Sequence, residues 1–263
     1  MGSDPERTGY GPFRAHQLRA GDRYELSQGH AVYCAPAGGV HGRATLAGSM
    51  VIDTDPDVID AAIDTGFTTD DGTLRAPDIA VGVPEVAGWV KGTPPLAVEY
   101  AGVGQDEDAL QRKISDLLAA GTRFIWVVRL VGLRRVEVYT NGAPTRVVDA
   151  SGTLTAPGIL RKPVPVRALY DREVAHERAL ENLLERQGYA TLDDVRDEAR
   201  AEGREEGREE GQRAMLLDLL RSRFGALPDA IVAAVTALDQ ARIRDVFHRA
   251  VSAPDLVTLF PDH

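Results

Sequence analysis

The chain has a single cysteine, Cys34, so it can form neither an intramolecular disulfide nor a cysteine-based zinc site. It has no apolar run long enough to span a bilayer. Its opening residues, MGSDPERTGYGPF, hold no hydrophobic segment of signal-peptide type. These absences lead to an expectation of a reducing, cytoplasmic setting without membrane contact. Net positive charge is also missing. The formal charge is -10, which argues against a protein that coats nucleic acid through a basic surface. Binding at a metal site escapes that objection, because a cation changes the local field. Lysine is scarce and occurs at Lys91, Lys113 and Lys162 against a background of arginine, so each lysine stands out. No P-loop, dinucleotide glycine fingerprint or serine nucleophile elbow is present. His16, His30, His176, His248 and His263 fall at no metal-ligating spacing.

What is there suffices for a core: 43% of 263 residues are hydrophobic. Two textures divide the chain. Up to about Lys162, short apolar runs alternate with Gly, Pro and Asp clusters, the pattern of strands and turns. From about Arg167 the sequence is rich in Ala, Leu, Arg and Glu, the texture of helices. Arg23–Gly29 and His30–Ala35 read as a hairpin. Asp55 and Pro56 suggest a short helix over 56–65, with Asp55 as its cap. No long amphipathic helix is evident between His41 and Asp78. Strands are expected within 73–83, over 95–101 (PLAVEYA), 123–130 (RFIWVVRL), 135–140 (RVEVYT) and near 146–149. An amphipathic helix over 106–120 separates the second and third of these, and Gly121 stops it. In the second half, helices are expected over 170–187, from Thr191 to the Phe224–Gly225 pair, over 229–238 and over 240–252. The fold class is therefore α/β (α+β), a mixed sheet with flanking helices, followed by an all-α extension. The expected division is a tail at 1–20, a mixed domain at 21–165, a charged helical connector at 166–226 and a small helical tail at 227–263.

Glu99 carries the chemistry. A glutamate between Val98 and Tyr100 in an apolar strand costs several kcal/mol if it stays charged and unpaired. A divalent cation shared with a second carboxylate, Asp78 at the head of another strand, would compensate it. Oxygen ligands suit magnesium or manganese. Lys113, in the following helix, could point back to hold a water or offset charge on a phosphoryl group. Ordinary structural roles compete with this: a turn aspartate, an edge glutamate paired with arginine, a solvated lysine.

The segments RAPDIAVGV and PPLAVEYAGVGQDEDALQRKISDLLAAGTRFIWVVRLVGLRRVEVY resemble the core of the Uma-two family of restriction endonucleases, within the PD-(D/E)XK nuclease superfamily. The matching pieces are Pro77–Asp78, Val98–Glu99, Lys113, Gly121, Ile125–Trp126 and Val136–Tyr139. Upstream, YELSQG and APAGGVHGR resemble the family's hairpin and its His-Gly segment. The resemblance runs from about Tyr24 to Val148. It implies a restriction-endonuclease-like fold and magnesium-dependent hydrolysis of DNA by Asp78, Glu99 and Lys113. It also implies metal ligation by Asp78, Glu99, the Tyr100 carbonyl and Glu25, and a substrate contact at His41. The chain departs from the pattern in places. Ala101 stands where the superfamily carries its signature lysine, and Gly102–Val103–Gly104 replaces the family's Ser-Pro. The alternative reading is an inactive nuclease fold used for binding or assembly. Gly203, Gly207 and Gly211 recur every four residues in a charged helix, which leads to an expectation of homo-oligomers through residues 190–225. The last helices resemble a short domain found on other nucleases of bacterial mobile or defence elements.

Overall fold

The computed structural model describes residues 11–261. Residues 1–10 of the expected N-terminal tail, and His263, lie outside the described residues. The chain divides into two compact units, 1–190 and 191–263.

The first unit contains strands β1 (Tyr24–Ser27) and β2 (His30–Tyr33), helix α1 (Gly39–Asp53), strands β3 (Ala61–Ile63), β4 (Phe67–Asp70), β5 (Thr73–Arg75), β6 (Ile79–Val81), β7 (Val90–Lys91) and β8 (Leu96–Ala101), and helix α2 (Glu107–Ala120). Strands β9 (Phe124–Arg129), β10 (Arg135–Tyr139), β11 (Arg146–Asp149), β12 (Thr153–Leu154) and β13 (Val164–Pro165) follow, then helix α3 (Arg172–Arg186). A six-stranded sheet runs β11-β10-β9-β8-β6-β3, a five-stranded sheet runs β2-β1-β5-β4-β7, and β12 pairs with β13. In the six-stranded sheet β8 and β9 are parallel and joined through α2, and the other pairs are antiparallel. The fold class is thus the mixed α+β one that the sequence implies.

Strand β8 shows why the site forms where it does. Its alternate residues face opposite ways. Leu96, Val98 and Tyr100 join the main core with Ala44, Ala47, Val51 and Ile52 of α1. Ala97 and Ala101 pack against Leu110, Ile114 and Leu117 of α2. Glu99 lies on the α2 face, between two alanines small enough to let the helix close in. Helix α2 begins where the Asp106 side chain accepts from the Ala109 N–H, and ends at Gly121, whose φ of 110° takes the left-handed conformation.

Two sequence expectations fail between residues 39 and 65. No helix forms over 56–65, and a full helix, α1, precedes that segment. Asp55 is not a helix cap. Its carboxylate accepts from the backbone N–H of Asp57 at 3.0 Å, Arg161 at 2.9 Å and Lys162 at 3.2 Å. Residues 61–63 pair with β6 instead of coiling. Helix α1 hides in the sequence because its glycines dilute its apolar stripe. Gly48 is required by packing, since a Cβ there would sit 2.0 Å from the Tyr100 hydroxyl oxygen.

The connector expected over 166–226 is divided between the two units, because α3 is bonded to α1 and the segment after it. Asn182 donates to the Val51 carbonyl, and Arg186 donates to the carbonyls of Asp53, Asp55 and Val58. Those bonds place α3 in the first unit.

The second unit holds α4 (Leu192–Phe224), α5 (Asp229–Thr236), α6 (Gln240–Ala250) and the short α7 (Leu256–Leu259). Thr191 and Asp194 form a capping box at the start of α4. Leu216 and Leu220 of α4 form a core with Ile231, Val235, Ile243, Val246 and Ala250. The earlier turns of α4 are exposed and carry spaced ion pairs such as Arg200–Asp197 and Arg208–Glu205. Among the described residues, no helix is long and apolar enough to cross a membrane.

Candidate active site

The antiparallel register of β6 and β8 ends at Ile79 opposite Val98. One step further, it sets Asp78 opposite Glu99, two acids on neighbouring strands. Like charges placed so are destabilising unless something intervenes. Each acid has its own answer. Asp78 Oδ2 accepts from the Tyr100 backbone N–H at 2.6 Å, so the carboxylate extends the ladder where β6 has stopped. Its other oxygen, Oδ1, lies 3.0 Å from His41 Nε2 in the first turn of α1. That hydrogen bond to Asp78 is the main cause of an upward shift in the His41 pKa.

Glu99 is answered by Lys113. The Lys113 ammonium lies 2.8 Å from Glu99 Oε1, 3.1 Å from Glu99 Oε2 and 3.0 Å from Glu25 Oε1. It also donates to the Ala76 carbonyl at 2.7 Å. All three side chains are largely buried. Burial pushes the Glu99 carboxyl up to about 8, against the pull of Lys113. Burial also opposes the charge on Lys113, but Glu25, Glu99 and Asp78 together outweigh it, and the net shift of the ammonium is upward. The lysine therefore stays protonated. Glu99 Oε1 is buried and, despite its closeness to the ammonium, has no hydrogen bond of acceptable angle.

Of the residues singled out in the sequence, Glu25, Glu99 and Lys113 meet directly, and Asp78, His41 and Tyr100 form an adjoining bonded group. The Tyr100 ring lies 5.8 Å from that of His41, and its hydroxyl donates to the Leu169 carbonyl. Three further residues went unnoticed. Arg75 is fully buried and donates to Glu25 Oε2 at 3.1 Å and to Asp116 Oδ2 at 2.9 and 2.6 Å. Ser27 donates to the same Asp116 oxygen at 2.8 Å. Asp116 could have been marked by its place on the face of α2 that carries Lys113, three residues on. Arg75 could have been marked by preceding the Ala-Pro-Asp run that leads to Asp78.

The donor set suits a hard divalent cation. Asp78 and Glu99 offer carboxylate oxygens, the hard ligands such an ion takes, and both Glu99 oxygens now lie on the Lys113 ammonium. Among the described residues, no three or more His, Cys, Asp and Glu side chains form a group able to hold a metal on their own. At the rim, Arg129 joins Glu107 at 2.7 Å to Glu137 at 2.7 Å.

The model of the Uma2 family, described as "Putative restriction endonuclease", matches residues 13–163. Among solved structures, the chain is similar to one described as a putative nuclease belonging to DUF820 from Anabaena variabilis. The TM-score is 0.50 at 19% identity, over 58% of this chain and 90% of that one. At that identity the likeness speaks for the fold alone. No curated protein matches the chain. The family match spans more than half of the chain and holds every residue of the site just described, so the chain belongs to the Uma2 family of restriction-endonuclease-like proteins.

Proposed function

We propose that this chain is a metal-dependent endonuclease that hydrolyses phosphodiester bonds in DNA. The observation that carries the reading is a buried ammonium, Lys113, held against Glu99 one strand away from Asp78. Asp78 and Glu99, with the Tyr100 carbonyl, would hold the metal, magnesium or manganese. When bound, such an ion supplies Lewis acidity toward a phosphoryl oxygen. Lys113 orients a water or offsets the charge that develops on the phosphoryl group. His41, anchored on Asp78, contacts the phosphate. Lys113 takes over from the helix the part that the superfamily gives to a strand lysine, at the position of Ala101 here. A cytoplasmic setting accords with the lone cysteine.

The test is plasmid cleavage by the purified full chain with magnesium or manganese, compared with Lys113→Ala and Asp78→Ala. Cleavage is expected to need the metal and to be lost in both variants, while their circular dichroism stays native. Unchanged cleavage in both defeats the reading.

A second reading, an inactive nuclease fold used for assembly, draws support from the net charge of -10 and from Ala101. The apparent lack of a long helix between His41 and Asp78, which would also favour it, does not hold, because α1 is a complete helix. Whichever reading holds, α4 is a candidate for self-association. A Cβ at Gly203, Gly207 or Gly211 would meet nothing within 4 Å, so three glycines weaken the helix, each by about 1 kcal/mol, without an internal contact in return. Light scattering that finds a monomer at all concentrations removes this role.

A further inference from the structure

Arg75 and Asp116 have no part in the chemistry proposed above, yet they are built into its support. Five side chains form a row of alternating charge: Asp116, Arg75, Glu25, Lys113, Glu99. The row crosses four elements. Glu25 and Arg75 stand on β1 and β5 of the five-stranded sheet, Lys113 and Asp116 on α2, and Glu99 on β8 of the six-stranded sheet.

We infer that Arg75 and Asp116 are positioning residues that lock α2 to the five-stranded sheet and so hold the Lys113 ammonium beside Glu99. For its catalytic consequence this rests on the nuclease reading; the positional claim stands apart from it. Lysine alone is a poor locator, a point charge on a flexible four-carbon stem. Arginine is a rigid planar fork. The Arg75 fork grips Asp116, three residues from Lys113 on the same helix face, through two nitrogens. Its third nitrogen grips Glu25, which in turn holds Lys113. The helix is thereby fixed in rotation as well as distance.

The same geometry assigns Glu25 to the lysine and not to the metal. Its two oxygens are held by two different cations, Lys113 and Arg75, whereas both oxygens of Glu99 lie on the Lys113 ammonium alone. When Glu99 turns to a cation, Lys113 retains Glu25 and the Ala76 carbonyl.

The scarcity of lysine makes the claim measurable. In the 15N-labelled full chain, three lysines give few side-chain ammonium signals, and Lys113→Arg identifies the one from Lys113. That signal is expected to exchange slowly with water in the parent protein. In Asp116→Asn and Arg75→Gln its exchange accelerates about tenfold or more, and Arg75→Lys restores part of the protection, since a lysine replaces the charge without the fork. In cleavage assays kcat falls about 10- to 100-fold while KM stays within about twofold, the mark of misplacement over lost binding. If Asp116→Asn does not fold, Ser27→Ala removes one hydrogen bond to Asp116, with about two- to threefold faster exchange expected. Exchange equal to the parent in folded Asp116→Asn, or failing that in Ser27→Ala, overturns the inference. A parent protein that cleaves no DNA defeats the nuclease reading alone, and the exchange measurement still decides the positional claim.

Discussion

Asp55 and Glu99 are both buried carboxylates of the first unit, 1% and 6% exposed, but their partners differ in kind. Asp55 is met by three backbone N–H groups, from Asp57, Arg161 and Lys162. Backbone donors cannot swing away, so the charge is spent on tying residues 55–57 to 161–162. Glu99 is met by an ammonium on a long side chain, keeps one oxygen without a hydrogen bond, and has its carboxyl raised to about 8 by burial. A buried acid satisfied by immobile donors is architecture. One satisfied by a single ammonium that has other partners to keep it in place can give up that contact to a ligand.

The contrast can be broken with one chemical change made twice, carboxylate to amide. Glu99→Gln should lower metal-dependent cleavage by about 10²- to 10³-fold, the scale of losing one transition-state contact. Its stability in urea should stay within about 1 kcal/mol of the parent, since a group with a raised pKa already resists carrying charge. A large loss of stability here would erase the distinction. Asp55→Asn should do the reverse. Its amide NH2 would face the N–H groups of Arg161 or Lys162, and a buried donor without an acceptor costs about 1–3 kcal/mol beyond the bonds lost. Urea unfolding should show a loss of about 2–4 kcal/mol, with cleavage per folded molecule unchanged.

The smallest effect lies at the rim, where it sharpens the comparison with a third, exposed acid. Hydrogen bonds from Arg129 hold Glu107 down at about 2, against an ordinary 4.5. Because the folded pKa lies below the unfolded one, the stabilisation is complete above about pH 4.5. It is lost as pH falls through about 2. Glu107→Gln should flatten that acid limb in a pH series of thermal melts. Glu107 is half exposed, so the difference should be slight and should shrink in 1 M salt.

Much of the site-bearing half could be read in advance. β8, α2, β9 and β10 announce themselves through long apolar runs or clear helical spacing, and Glu99 stands out because it interrupts one of them. What stayed hidden depends on distant partners. Asp55 has the local chemistry of a helix cap, yet two of its donors lie more than a hundred residues away. Gly48 weakens the apparent helical signal of α1, and its reason is the Tyr100 hydroxyl, on another element. Arg75 and Asp116 are 41 apart in the chain and carry no local mark of their pairing. Strands such as β7 and β12, two residues each, are too short to show a period.

Asp78 leaves a consequence for anyone redesigning this protein. With Oδ2 serving as the hydrogen-bond acceptor for the Tyr100 N–H, the side chain has become a splice in the main chain. Its rotation is restrained, and a ligand at this carboxylate meets one oxygen already bonded to the Tyr100 N–H and one already bonded to His41. Glutamate, one methylene longer, would keep the charge yet undo the splice, so at this position the nearest chemical relative is a poor substitute.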